Sequence, residues 1–167
     1  VGIETSGRQD LWGTVEEVMD PWHAANAFYA GLVKVSGWED AEITVAAQAV
    51  QRSGFPEAYA DHEAEARLWA TGLRGYGGPA AVTCDISTPD ASTPTAYLAR
   101  LTADFGEGMY QVAVTGIGDA QRIDVTALDG TEVTRDQFAA WAVATASATG
   151  AMAVTTSEST WSVADGM

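Results

Sequence analysis

The stretch "QRSGFP", residues 51–56, sets an amide, a guanidinium and a hydroxyl on consecutive residues, Gln51, Arg52 and Ser53, where one helical pattern stops and another starts. Such groups grip a polar ligand if the joint edges a groove. They only close a helix end if it is a corner. Both readings stand on the sequence. The remaining reactive side chains are sparse. His23 and His62 are the only histidines; they fall in different helical stretches, outside metal-ligand spacing. Cys84 is the single cysteine and can form neither an internal disulfide nor a zinc site of the usual ligand count. It reads as a small buried strand residue, with a disulfide to a residue upstream of Val1 or to another chain as the alternative. The serines lack a G-x-S-x-G elbow, and neither G-x-x-x-x-G-K nor G-x-G-x-x-G occurs. The acidic pairs Glu16-Glu17 and Glu39-Asp40 lack EF-hand spacing. Neither a metal nor a cofactor is expected. Of six tryptophans, Trp22, Trp69 and Trp141 fall on helix stripes and are expected in the core. Trp12 and Trp38 fall in loops, where they either plug the end of the helical bundle or present an exposed ring to a ligand.

The chain that must position these residues has 167 residues and a net charge of −15, with Lys34 its only lysine. That charge repels nucleic acid and anionic membrane, which excludes backbone-type nucleic-acid binding. Nearly half the residues are hydrophobic (47%), enough for a packed core rather than a disordered acidic tail. No apolar run is long enough to span a bilayer. The start at Val1 rather than Met suggests processing or truncation.

Periodicity divides the chain near "RGYGGPA", residues 74–80. The reading is a helical domain over 1–74, a linker over 75–79 and a second domain over 80–167. In the first, "TVEE" (14–17) fits a capping box. Asp20 and Pro21 start a helix to about Val35, with Trp22, Ala25, Phe28, Tyr29 and Leu32 on one stripe. A third helix begins near Thr44 and stops at Ser53-Gly54. A fourth restarts at Phe55-Pro56, with Tyr59, Ala66, Leu68 and Trp69 facing inward and Asp61, Glu63 and Glu65 outward. In the second, strands over 80–86, 109–117 and 121–128 and helices over 93–106 and 134–150 precede two short closing strands. The order β-α-β-β-α-β is that of a ferredoxin-like plait. The fold class expected is therefore α+β: a small helical domain followed by a plait.

"LWGT" (11–14), "DPWHAANAFYAGL" (20–32) and "VAAQAVQRSGFPEAYA" (45–60) together resemble the lysozyme-like, soluble lytic transglycosylase type of domain. Such domains occur in secreted or membrane-tethered cell-wall proteins of high-GC Gram-positive bacteria. The resemblance covers roughly residues 11–70. "FAAWAVATASATGAMAV" (138–154) and "TWSVADG" (160–166) resemble the small C-terminal domain that follows it. The resemblance implies a glycan groove edged by Gln51, Arg52 and Ser53, with Trp12 and Trp38 beside it. It also implies a glutamate of raised pKa on an early helix, which protonates the glycosidic oxygen. That helix would precede Val1. Glu4 in "IETSG" and Glu158 in "TSESTW" carry similar local motifs, but Glu4 falls in the later loop and Glu158 between two strand-like runs.

The expectation is an extracellular or cell-envelope protein of a Gram-positive bacterium with no catalytic activity of its own. It would bind peptidoglycan glycan strands or assemble with itself or another envelope protein. Two alternatives remain: a peptidoglycan-cleaving enzyme whose catalytic segment lies outside this chain, and a structural subunit of an extracellular assembly. Catalytic residues are not assigned, with Glu4 the candidate acid if activity exists.

Overall fold

The computed structural model describes residues 12–90, 92–118 and 121–164. The chain is 50% helical and 12% strand, an α+β protein. It divides into two compact units, Val1–Glu65 and Ala66–Met167.

Local chemistry starts the helices of the first unit. Helix α1 (Val15–Met19) is opened by the capping box: the Thr14 hydroxyl accepts from the Glu17 N–H, and the Glu17 carboxylate accepts from the Thr14 N–H at 2.7 Å. Helix α2 (Pro21–Leu32) follows at once, with the Asp20 carboxylate accepting from the Trp22 N–H and Pro21 at its first position. Helix α3 (Ile43–Gln51) has no side-chain cap at its start. A single 3-10 turn, Pro56–Tyr59, then leads into α4 (Ala60–Leu73), within which the two units divide.

The apolar stripe expected to bury α2 lies largely in solvent. Trp22 is 59% exposed and Tyr29 62%; Leu68 and Trp69 of α4, which fall in the second unit, are exposed too. Among the described residues of the first unit the buried hydrophobics are Leu32, Ala46 and Ala47. The cause is the small-residue contact between α2 and α3. A side chain added at Gly31 would come within 2.8 Å of Val50 Cγ1, so the helices approach through glycine and alanine and leave the aromatics outside.

The second unit is built round α6 (Glu132–Ala144), in which 138–143 are all buried. Helix α5 (Pro94–Phe105) is capped by Thr93 and ended at Gly106. Its fully buried Leu101 joins Phe138, Trp141 and Ala142. Around them Tyr97, Phe105 and Tyr110 meet Trp141 or Phe138 edge to face at ring-centroid separations of 4.9–5.8 Å. Strands β1 (Tyr110–Thr115) and β2 (Arg122–Ala127) form an antiparallel hairpin with Val112 opposite Val125 and Tyr110 opposite Ala127. Those four residues cover the same cluster. A second cluster gathers Val82, Ala140, Val143, Ala146 of the short helix α7 (Ala146–Thr149), and Trp161. Strands β3 (Ala153–Thr155) and β4 (Thr160–Ser162) pair antiparallel as a separate sheet.

The described residues thus form two two-stranded sheets rather than the single four-stranded sheet of a plait. The segment 80–86, expected as a strand, has no ladder. Its alternation still buries one face: Val82, Cys84 and Ile86 pack on the second cluster, and the Cys84 carbonyl accepts from Trp161 Nε1 at 3.0 Å. Cys84 is half-buried and its thiol is free. Within 75–79, Gly75 is buried against α6, and a Cβ there would fall 1.9 Å from the Val133 carbonyl oxygen.

Among the described residues, no helix is long and apolar enough to cross a membrane.

Candidate functional site

Helix α3 ends because Arg52 turns into the left-handed region, at φ 49° and ψ 46°. Its N–H still donates to the Gln48 carbonyl at 2.9 Å. The Gln48 side chain then clamps the corner from both sides. Its Nε2 donates to the Ser53 carbonyl at 3.0 Å and its Oε1 accepts from the Ser53 N–H at 3.1 Å. The Ser53 hydroxyl accepts from the Phe55 N–H at 3.0 Å. Ser53 is therefore half-buried and engaged in the turn, whereas Arg52 projects into solvent. Among the described residues the Arg52 guanidinium has no hydrogen-bond or ion-pair partner.

Gln51 points elsewhere. Its Oε1 accepts from the Tyr59 hydroxyl, which ties the end of α3 to the 3-10 turn. Both residues line an open concavity of about 380 Å³, together with Phe28, Tyr29 and the alanines 24, 25 and 47. The alanines explain it. Where α2 and α3 approach through small residues, no side chain fills the space between the flanking rings. Phe28 and Tyr29 stand edge to face, 5.5 Å between centroids.

Of the residues singled out in the sequence, Gln51 lines this concavity, and Arg52 and Ser53 follow it in the chain. Trp12 and Trp38 are half-buried and do not line it. The Trp12 carbonyl accepts from His23 Nε2 at 3.0 Å, which makes His23 a tie between segments of this unit. Glu4 lies outside the described residues. Glu158 sits in the β3–β4 turn, exposed, and accepts from Arg135 Nη2 at 3.3 Å. Phe28, Tyr29 and Tyr59 were expected to be core; Tyr29 is exposed, and Phe28 and Tyr59 are half-buried.

Apart from Tyr97, the shifted titrations belong to caps and ion pairs. Glu17 is held below the ordinary glutamate range by the Thr14 N–H and hydroxyl, with a smaller contribution from His23. Asp129 is lowered by the Thr134 hydroxyl and the Thr131 N–H at the start of α6. Asp136 beside Arg135 raises the guanidinium's pKa. Burial pushes the Tyr97 phenol up to about 12. Among the described residues no cluster of His, Cys, Asp and Glu could hold a metal ion.

The concavity therefore offers aromatic rings and an oriented amide, groups that can contact a ligand. Comparison with protein-family models, with characterised proteins and with solved structures finds no match to this chain.

Proposed function

We propose that the chain is a non-catalytic glycan-binding protein of the cell envelope or extracellular space, and that the α2–α3 concavity is its saccharide site. The observation that carries this reading is the open concavity lined by Phe28, Tyr29, Tyr59 and Gln51. Sugars present apolar ring faces ringed by hydroxyls; aromatic rings cover the former and amides bond the latter. The resemblance of residues 11–70 to lysozyme-like domains supplies the ligand class, a peptidoglycan glycan strand.

The test is co-sedimentation of the chain with purified peptidoglycan, beside release of soluble muropeptides. Binding without release is expected. Tyr29→Ala should weaken binding about tenfold, equivalent to about 1.4 kcal/mol. Release of muropeptides that vanishes in Glu4→Gln would make the chain an enzyme instead.

A second reading, a subunit of an extracellular assembly, draws on the exposed Trp22, Tyr29 and Val33, which share one face of the α2 region. Concentration-dependent mass in light scattering, lost in Trp22→Ala, would favour it.

A further inference from the structure

Resting on the glycan reading, we infer that Tyr59 is a positioning residue at the concavity: its hydroxyl turns the Gln51 amide so that the amide nitrogen donates to an acceptor oxygen of the saccharide. Both residues line the hollow. The Tyr59 hydroxyl donates to Gln51 Oε1. A side-chain amide carries its acceptor and its donors on opposite arms of one plane, so fixing the oxygen fixes where the N–H groups point. Among the described residues no other hydrogen bond engages the Gln51 side chain, and its nitrogen is left to donate. No charged side chain among them lines the concavity. With the Tyr59 proton committed to Gln51, the side-chain donors left to a ligand there are the Gln51 amide and the Tyr29 hydroxyl.

A competing role for this bond is to tie the end of α3 to the 3-10 turn. The corner does not depend on it. Gln48 clamps Ser53 through both arms of its own amide, and the Ser53 hydroxyl accepts from the Phe55 N–H. The Gln51–Tyr59 bond is exposed, where water replaces a lost hydrogen bond at little cost. A freely rotating amide would offer a ligand its oxygen as readily as its nitrogen. Holding it in one orientation spares the ligand the cost of ordering it, so the bond matters more to binding than to the fold.

Chitotetraose, whose hydroxyl, ring and carbonyl oxygens can all accept, is titrated calorimetrically into the intact chain and its variants. Gln51→Ala should weaken binding about tenfold, the loss of one hydrogen bond near the upper end of its usual net value. Gln51→Glu keeps an oxygen for the Tyr59 hydroxyl but has no N–H, and should lose as much. Tyr59→Phe should weaken binding about threefold. Combined with Gln51→Ala it should add nothing, because a residue that acts through another has no effect once that other is gone. Tm should stay within about 2 °C of the parent throughout, as at exposed positions. Binding kept in Gln51→Glu, or losses that add in the double variant, would overturn the inference, and the glycan reading would survive where Tyr29→Ala still weakens binding. A larger fall in Tm in Tyr59→Phe would assign the bond to the fold and overturn the inference as well. If the parent chain binds no chitotetraose, both readings fall.

Discussion

The aromatic cluster of the second unit and the α2–α3 pair of the first treat their rings in opposite ways. In the second, Tyr97, Phe105, Tyr110, Phe138 and Trp141 meet one another edge to face, and Trp141 Nε1 finds the Asp104 carboxylate at 2.8 Å. In the first, Trp22 and Tyr29 remain mostly in water, while glycine and alanine make the helix contact. A ring buried among rings contributes to stability; a ring left beside an unfilled hollow is available to a ligand. The contrast locates stability in the second unit and the candidate site in the first.

Replacing a ring in each unit gives the largest test of that contrast. Trp141→Ala should cost about 3–5 kcal/mol, as truncation of a buried aromatic does. Trp22→Ala should stay within about 0.5 kcal/mol, as at an exposed position. Urea unfolding of both variants compares them directly, and equal losses would remove the distinction. Next in size is Gly75→Ala. Its left-handed φ of 79° alone makes a Cβ cost about 1–3 kcal/mol, and the overlap with the Val133 carbonyl adds to that. Calorimetry should show the second unit melting earlier. Helix caps come third: Thr131→Ala removes the acceptor for the Thr134 N–H and should cost about 1 kcal/mol.

The smallest effect expected is that of pH. Glu17 in the first unit and Asp129 in the second both titrate below their ordinary values of 4.5 and 3.8. A carboxylate lowered in the folded state stabilises fully above its unfolded pKa. That contribution is lost as pH falls through the lower folded value. Melting followed from pH 6 downward should therefore show a shallower acid limb in Glu17→Gln and in Asp129→Asn than in the parent. An unchanged limb would mean that these caps do not persist in solution.

Much of the local structure was legible because its causes are local. Thr14 with Glu17, Asp20 with Pro21, and Thr93 with Pro94 and Gly106 each name a helix end through groups a few residues apart. The β1–β2 hairpin followed from its alternation. What failed was whatever depends on a partner element. The α2 stripe was periodic, yet which face is buried was decided by the close approach of Gly31 to Val50. The 80–86 segment alternates, yet among the described residues no strand pairs with it to complete a ladder. For the site, Gln51 was visible as a polar residue at a joint. The hollow it lines was not, because a hollow is volume that alanines on two helices leave unfilled, and no single residue signals it.

Saccharide binding at the α2–α3 concavity is tested by amide chemical shifts of the intact chain during titration with peptidoglycan fragments and with chitotetraose. Saturable shifts are expected, confined to Ala24–Tyr29, Ala47–Arg52 and Tyr59, with α5, α6 and the β1–β2 hairpin unmoved, and lost in Tyr29→Ala with the spectrum otherwise intact. No shifts at millimolar saccharide, or shifts centred on the second unit, would contradict it.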